Sequence, residues 1–166
     1  MIQIQQSNRS KQTSELEPQL EDTATRLLNF VFAQENIACD GEVSLSFIDD
    51  EEMRELNLQY RQIDQTTDVL SFSIDDQPDE NGYRMLGDIV ISIPCAERYA
   101  HSRGVEPREE LETLIVHGAL HLLGYDDEDE DEREKMLMRQ TEILNAFYSA
   151  SAAEIRKRSI DPTRQD

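Results

Sequence analysis

Three short segments of this chain alternate hydrophobic and polar residues or are rich in β-branched residues, and they constrain the fold more than any other feature. Val43, Leu45 and Phe47 alternate with serines in EVSLSFI, and TDVLSFSI and LGDIVISI follow later. A period of two is typical of strands with one face on a core. The turn-prone DDQPDENGYR between the last two segments permits a hairpin. Ile2 and Ile4 give a weaker strand signal at the start of the chain.

Segments with helical spacing surround these strands. The sequence predicts helices over 19–35, from Asp49 or Asp50 to about residue 60, from Pro94 through 100, from Pro107 to 123 and from about 130 to Phe147. In the second helix Met53 and Leu56 are expected to face inward. The last helix has one predicted inner side, formed by Met136, Leu137, Gln140, Ile143, Leu144 and Phe147.

The order of these elements predicts a single α+β domain. A small mixed sheet of about four strands would pack against helices. We assign residues 1–149 to this domain and residues 150–166 to a polar, flexible C-terminal tail.

The charge of the chain restricts its partners. Sixteen basic and 36 acidic residues give a net charge of -20, which repels membranes and nucleic acids at long range. An RNA partner would therefore need a local basic patch. Seven basic residues between Arg26 and Arg108 form a candidate positive groove, and the tail has a separate basic group of Arg156, Lys157, Arg158 and Arg164.

The cysteines and the apolar segments indicate the compartment. Cys39 and Cys95 stand far apart and form no CxxC pair, which favours a reducing environment. No apolar run approaches the ~20 residues needed to span a bilayer, and the N-terminus has no basic segment followed by an apolar run. We therefore expect a cytoplasmic protein.

Two histidines stand one helical turn apart in VHGALHLLGYDDEDEDERE, which covers residues 116–134. Residues i and i+4 of a helix approach to ~6 Å at their Cβ atoms, so His117 and His121 can bind one ion. Gly124 predicts a left-handed cap, and the turn after it brings Asp127 back towards the imidazoles. A His₂Asp set with an open position is a reasonable catalytic zinc site, because zinc accepts carboxylate oxygen and needs water or substrate as its fourth ligand. The metal site would lie at the end of a central helix.

The same helix has a narrow stripe that should pack on the sheet. The stripe consists of Leu111, Ile115, Gly118 and Leu122, and the histidines project from its flank. Gly118 leaves room for close packing beside the first histidine.

The residues alone leave other interpretations open. Histidines at this spacing also occur as surface or hydrogen-bonded core residues. Asp126 or Glu128 would replace Asp127 if the turn differed by one residue. The acidic run over 126–134 is also expected at the start of a solvated helix, where carboxylates favour the helix dipole. It lacks the glycine and glutamate positions of an EF-hand calcium loop.

The histidine segment resembles the motif of the YbeY family, bacterial metal-dependent endoribonucleases associated with ribosomal RNA maturation and ribosome quality control. The family motif is H-G-x-L-H-L-x-G-Y-D-H, and HGALHLLGYDD agrees with it at ten of eleven positions. LNLQYRQIDQTTDVLSFSI resembles the family's L-N-x-x-Y-R-x-x-D-x-P-T-D-V-L-S-F-P, and LGDIVIS resembles its L-G-D-I-x-I strand. The resemblance covers roughly residues 2–147.

The resemblance implies a ligand set and a functional arginine. In the family the three motif histidines bind one zinc ion. The resemblance implies the same ligand role for His117 and His121, whereas this chain has Asp127 at the third position. A carboxylate keeps a donor but adds negative charge, so the ion becomes a weaker Lewis acid and harder ions are favoured. The family's functional arginine matches Arg61, and a guanidinium is suited to hold phosphate in a bidentate manner.

Four other positions bear on this comparison. Thr66 and Ser73 replace two family prolines, which predicts a less rigid loop and strand entry. Asp88 follows the family pattern, and we expect it to have a structural role or to support the ligands. His101 lies outside the motif and is a poor substitute for the third histidine.

The resemblance implies a function and its partners. It implies a single-strand-specific zinc-dependent endoribonuclease that hydrolyses phosphodiesters by metal-activated water and acts in ribosomal RNA 3'-end maturation and ribosome quality control. The implied partners are RNA and the ribosome or ribosomal proteins, without membrane or DNA. One alternative is a non-hydrolytic ribosome-associated binding factor whose metal site is weakened by Asp127. Another is a metalloprotease, but Gly118 stands where HExxH peptidases have their glutamate base.

Overall fold

The computed structural model describes residues 1–12, 17–74 and 77–160, and for residues 17–18 and 158–160 it describes the backbone alone. The elements are β1 (Ile2–Asn8), α1 (Glu17–Gln34), β2 (Asp40–Ile48), α2 (Asp50–Arg61), β3 (Val69–Ser73), β4 (Tyr83–Ser92), α3 (Ile93–Arg103), α4 (Pro107–Leu122) and α5 (Glu130–Ile160). This arrangement confirms the predicted α+β class. Within the described chain, no helix combines the length and apolarity needed to cross a bilayer.

The four strands form one mixed sheet in the order β1-β2-β4-β3. β1 and β4 both run parallel to the central strand β2, whereas β3 pairs antiparallel with β4. The predicted hairpin is therefore confirmed. Parallel neighbours need a crossover, and α1 provides it between β1 and β2. β3 lies at one edge of the sheet, where its residues line the cleft of the candidate site described below.

The two faces of the sheet pack against different helices. Val43, Leu45 and Phe47 of β2 belong to the main core, which also contains residues of α1, α4 and α5. A smaller cluster on the α2 side contains Ile48, Met53, Leu70 and Val90. The prediction that α2 faces inward is confirmed for Met53, and Leu56 packs half-buried against the same cluster.

α4 is the central helix, because it contacts α1, α3, α5, β3 and β4. The predicted stripe packs on the sheet as expected: a Cβ atom at Gly118 would lie 2.7 Å from Cγ2 of Ile89. Burial of α4 extends beyond that stripe, however, to Leu114, Val116, Ala119 and Leu120. Three neighbouring helices cover the sides that the sequence pattern predicts to be open.

The last helix differs from the prediction in length and in its inner side. α5 continues past Phe147 to Ile160, because residues 148–160 contain several good helix formers and neither glycine nor proline. Leu137 is 46% exposed, since the buried stripe runs through Met136, Gln140 and Ile143. The flexible tail over 150–166 stays a prediction, and residues 161–166, with Arg164, lie outside the described part.

Asp50 connects three elements at the start of α2. Its carboxylate accepts hydrogen bonds from Nη1 of Arg98 (2.6 Å), Oγ of Ser92 (2.9 Å) and Oγ1 of Thr66 (2.9 Å). Ser92 in turn accepts a hydrogen bond from the backbone of Cys95 and so caps α3. Thr66, which replaces a family proline, is thus held by a hydrogen bond. The Arg98 guanidinium, followed by the two hydroxyls, holds the pKa of Asp50 below 3.8 although burial acts in the opposite direction.

We expect Asp50→Asn to lower the free energy of unfolding by about 1–2 kcal/mol near pH 7. This is the lower part of the range for hydrogen bonds to charged groups, because both side chains are partly solvated. The pKa of Asp50 is lower in the folded state, so its contribution is present at neutral pH and is lost as the pH falls below about 4.

Urea unfolding of parent and variant at several pH values checks this expectation. The two curves should converge in acid. Asp64→Asn, which removes an exposed partner of Arg54, is the matched control and should change stability much less. A difference that persists undiminished at pH 2.5 would contradict the assignment.

Candidate metal centre

Three side chains converge where α4 ends. Nε2 of His117 lies 3.1 Å from Nε2 of His121. Oδ2 of Asp127 lies 3.6 Å from Nε2 of His121 and 4.0 Å from Nε2 of His117. Within the described ranges, these three residues form the one group of histidine, cysteine or acidic side chains whose donor atoms converge on a possible metal position. His101 is exposed on α3 and takes no part in it.

The turn after α4 selects Asp127 among the neighbouring acids. Gly124 has φ +100°, and the backbone of Tyr125 donates to the carbonyl oxygen of Leu120. Oδ1 of Asp126 accepts hydrogen bonds from the backbone N–H groups of Asp127 (2.7 Å) and Glu128 (3.1 Å). Asp126 is therefore occupied within the turn, and the next side chain points at the imidazoles. The predicted left-handed conformation at Gly124 is confirmed.

Hydrogen bonds on the far side of each imidazole orient the donor atoms. Nδ1 of His117 lies 2.9 Å from Oε1 of Gln140, and Nδ1 of His121 lies 3.0 Å from the carbonyl oxygen of Tyr125. The Tyr125 carbonyl oxygen can only accept a hydrogen bond, and we assign the Gln140 amide oxygen as an acceptor too. The Nδ1 atom of each histidine is therefore the donor and carries the proton. Both Nε2 atoms then present lone pairs to the space near Asp127, as in histidines that bind metals.

Gln140 contacts the candidate site, whereas the sequence pattern predicted only that it lies on the inner side of the last helix. It is only 8% exposed and lies between Met136 and Ile143 on the inner side of α5. The signal was present in the sequence as a polar residue within an apolar stripe. Its partner could not be inferred, because His117 is 23 positions away.

The donor set fits a divalent zinc ion. Two nitrogens bound to one tetrahedral zinc stand about 3.3 Å apart, given Zn–N bonds of ~2.0–2.1 Å, and the Nε2 atoms are 3.1 Å apart. Burial lowers the pKa of His117 from its usual value of 6.5, against the opposing effect of the hydrogen bond that His117 donates to Oε1 of Gln140. The imidazole is therefore neutral at pH 7, as a ligand must be. The lone pairs on the Nε2 atoms of His117 and His121 face each other and repel unless a cation lies between them.

The three donors open into a cleft of about 480 Å³. One side is β3, and Oγ of Ser71 donates to the carbonyl oxygen of Gly118, which fixes this strand to α4. Ser73, the second replacement of a family proline, places its Oγ 3.5 Å from the carbonyl oxygen of His121. Arg61, Asp68 and Glu128 also line the cleft. Two predicted site features, the histidine pair and Arg61, thus come together from distant parts of the chain.

Arg61 differs from most arginines of the predicted positive groove. Five of the seven form ion pairs, namely Arg26–Asp22, Arg54–Asp64, Arg98–Asp50, Arg103–Glu110 and Arg108–Glu112. Within the described ranges, Arg61 has neither a hydrogen-bonded nor an ion-paired side-chain partner. Neighbouring carboxylates thus offset the charge of most arginines of this group, and the positive groove itself stays a prediction. Asp88 lies within β4, opposite Ser44 and Phe72, and is not part of the cleft lining.

Comparison with known proteins identifies the family. The family model described as "Endoribonuclease YbeY" matches residues 4–148. The chain belongs to the YbeY family. Relatives named "Endoribonuclease YbeY" include one from Bacillus cereus (strain ATCC 14579), 40% identical over 82% of this chain and 92% of its own. Another, from Halalkalibacterium halodurans, is 48% identical over 64% of this chain and 72% of its own.

A solved structure supports the same fold for this YbeY-family chain. The solution structure of TM1509 from Thermotoga maritima covers 99% of this chain and 100% of its own with a TM-score of 0.62 and 23% identity. At this identity the similarity concerns the fold alone.

We expect the purified chain to bind one zinc ion, and Asp127→Ala to weaken that binding by at least tenfold. Removing a charged donor leaves only two imidazoles. Asp127→His, which restores the third histidine of the family motif, should bind zinc at least as tightly as the parent.

Elemental mass spectrometry and competition with a zinc chelator measure both effects. Asp126→Asn is the matched control, because its amide oxygen can still accept the backbone hydrogen bonds of the turn while the negative charge is lost. Unchanged zinc affinity in Asp127→Ala would remove Asp127 from the ligand set.

Proposed function

We propose that this chain is a single-strand-specific zinc-dependent endoribonuclease that acts in ribosomal RNA 3'-end maturation and ribosome quality control in the cytoplasm. One observation carries the proposal: Arg61, whose guanidinium forms no ion pair with any residue that the structure describes, lines the same cleft as the three candidate metal donors. Membership of a family whose relatives are named endoribonucleases supports it. RNA and the ribosome or ribosomal proteins are the proposed partners, and we propose neither membrane nor DNA binding.

His117, His121 and Asp127 would hold the zinc ion. A zinc ion in such a site supplies a Lewis acid for a phosphoryl oxygen and lowers the pKa of water from 15.7 towards ~7. Gln140 and the carbonyl oxygen of Tyr125 hold both imidazoles in one tautomer and one orientation, so that their Nε2 atoms face the metal position.

Arg61 would bind the phosphate that is to be cleaved. Its guanidinium can donate two parallel hydrogen bonds to phosphate oxygens, which fixes orientation as well as charge. Because it forms no internal ion pair within the described ranges, no carboxylate has to be displaced when RNA binds. The same group would stabilise the negative charge that develops on the phosphoryl oxygens in the transition state.

Three carboxylates in the cleft restrict how RNA can enter. Asp68, Asp127 and Glu128 all line it beside a single guanidinium. Asp127 loses its repulsive effect when it binds a cation, so phosphate entry should depend on the metal. A single strand brings fewer phosphates into this cleft than a duplex and can present its bases separately, which favours single-stranded RNA.

We expect His117→Ala to abolish cleavage of single-stranded ribosomal RNA fragments, because it removes one metal donor and the partner of Gln140. Gel analysis of end-labelled RNA with zinc-loaded protein measures this loss. His101→Ala changes an exposed histidine on α3 and should cleave as the parent does.

The outcome also separates the endoribonuclease from the non-hydrolytic binding factor. A binding factor without hydrolytic activity would associate with RNA or ribosomes, without cleavage by the parent, and would keep that association after chelation. Full cleavage by His117→Ala would show that the activity arises elsewhere.

Replacing Arg61 separates phosphate binding from metal binding. We expect Arg61→Ala to lower kcat/KM by about 10²–10³-fold, as for loss of one transition-state donor, with zinc content unchanged. Arg61→Lys should recover only part of the activity, since an ammonium group retains the charge but cannot donate two parallel hydrogen bonds to the phosphate. Initial rates with metal analysis check this prediction. Equal rates for Arg61→Ala and the parent would contradict the role.

A further inference from the structure

An exposed aromatic side chain lies next to Arg61 in the sequence and against the edge strand. Tyr60 is 54% exposed at the C-terminal end of α2. One side of its ring packs against Phe72 of β3, with centroids 4.9 Å apart and planes inclined by 60°. Its hydroxyl forms no hydrogen bond with any of the residues that the structure describes. The contact holds the ring in place while the rest of it faces solvent.

The position of Tyr60 connects it to the metal cleft across β3. Ser71 and Ser73 direct their hydroxyls towards α4 and the histidines, whereas Phe72 points to the other face of the strand, where Tyr60 lies. β3 is an edge strand. A ligand that reaches the metal donors and the Tyr60 ring therefore has to pass over the open edge of β3, beside Arg61.

That open edge is polar. The backbone of Ser92 donates to the carbonyl of Asp68, and the backbone of Ile74 donates to the carbonyl of Leu86. In the antiparallel register, residues 70 and 72 therefore direct their backbone groups at β4, and residues 69, 71 and 73 direct theirs away from it. The backbone N–H of Val69 already donates to Oδ1 of Asp68. The outward N–H groups of residues 71 and 73 are therefore the ones suited to contact phosphate or sugar oxygens between the metal donors and the Tyr60 ring.

Electrostatic attraction is too weak in this chain to supply RNA affinity by itself. The net charge is -20, and most candidate arginines are already paired with carboxylates. Binding of an unpaired base to an aromatic ring does not require positive charge, and it contributes substantially per base in single-strand-binding proteins. Because Arg61 is the one guanidinium among the described residues that line the cleft, RNA affinity needs a contribution from base stacking.

We propose that Tyr60 is a stacking platform for one unpaired nucleobase of the RNA, close to the phosphate held by Arg61. This inference rests on the proposed function and adds a base-binding position to it. It also gives a physical reason for single-strand specificity, because a base in a duplex is already stacked and paired on both sides and cannot reach the ring.

Kinetics of three variants with a single-stranded RNA oligonucleotide test the proposal. We expect Tyr60→Leu to raise KM about tenfold with little change in kcat, since an aliphatic side chain keeps the apolar contact with Phe72 but cannot stack. Tyr60→Phe should remain within twofold of the parent. Tyr99→Leu, which changes a similarly exposed tyrosine on α3, is the matched control and should leave KM unchanged.

An abasic nucleotide moved stepwise along the same RNA supplies an independent measurement. One abasic position near the cleavage site should raise KM of the parent about tenfold, and Tyr60→Leu should show no further effect at that position. Because few phosphates are contacted, 1/KM should fall only shallowly with salt, with a logarithmic slope of about -1 and not of -4 or steeper.

Each result supports or overturns the proposal. Equal KM values for Tyr60→Leu and Tyr60→Phe, or an abasic effect that survives in Tyr60→Leu, would exclude base stacking on this ring. Fluorescence anisotropy separates this inference from the proposed function: RNA that binds through Tyr60 but is not cleaved would overturn hydrolysis alone. An RNA that is neither bound nor cleaved would overturn both.

Discussion

The metal centre depends on the close approach of α4 to the sheet at Gly118. A side chain there would collide with Ile89 of β4 at 2.7 Å and would lie 3.2 Å from Oγ of Ser71. The absence of a Cβ lets β3 contact the helix directly, and the Ser71 hydroxyl bonds to the Gly118 carbonyl. His117 precedes this contact by one residue and His121 follows it by three. The imidazoles are thus placed along the edge strand that lines the cleft.

Support for the donors comes from parts of the chain that are far apart in sequence. Gln140 of α5 orients one imidazole, and the Tyr125 carbonyl orients the other. Tyr125 is itself connected to α1, since its hydroxyl donates to Glu35, which also pairs with Arg139 of α5. The turn that carries Asp127 is therefore held between α5 and the C-terminal end of α1. Its geometry follows from the core that buries Met136, Ile143 and the apolar side of α1.

The distribution of charge explains how an acidic chain can present a site for a polyanion. Five of the seven arginines between Arg26 and Arg108 pair with carboxylates within the fold, which offsets much of their positive charge. What remains is a local arrangement: one guanidinium, three metal donors and an exposed tyrosine around an edge strand. A bound divalent cation would reverse the local charge near Asp127. In the proposed function, specific contacts would take the place of long-range electrostatic attraction to RNA.

The sequence by itself determined the class of the fold and the nearest neighbours within the site. Alternation in EVSLSFI, the proline and glycine boundaries and the i, i+4 histidines are local features, governed by backbone geometry, and the structure agrees with them. The glycine turn that brings Asp127 to the histidines is equally local.

Only the tertiary structure decided which distant residues meet. The partner of Gln140, the pairing of the arginines, the burial of α4 on nearly all sides and the contact of Tyr60 with Phe72 depend on how elements pack. Sequence periodicity reports which side of a helix is apolar, but not what lies against it. Hydrophobic periodicity also did not predict that α5 continues past Phe147, because this polar segment has good helix formers but no apolar stripe.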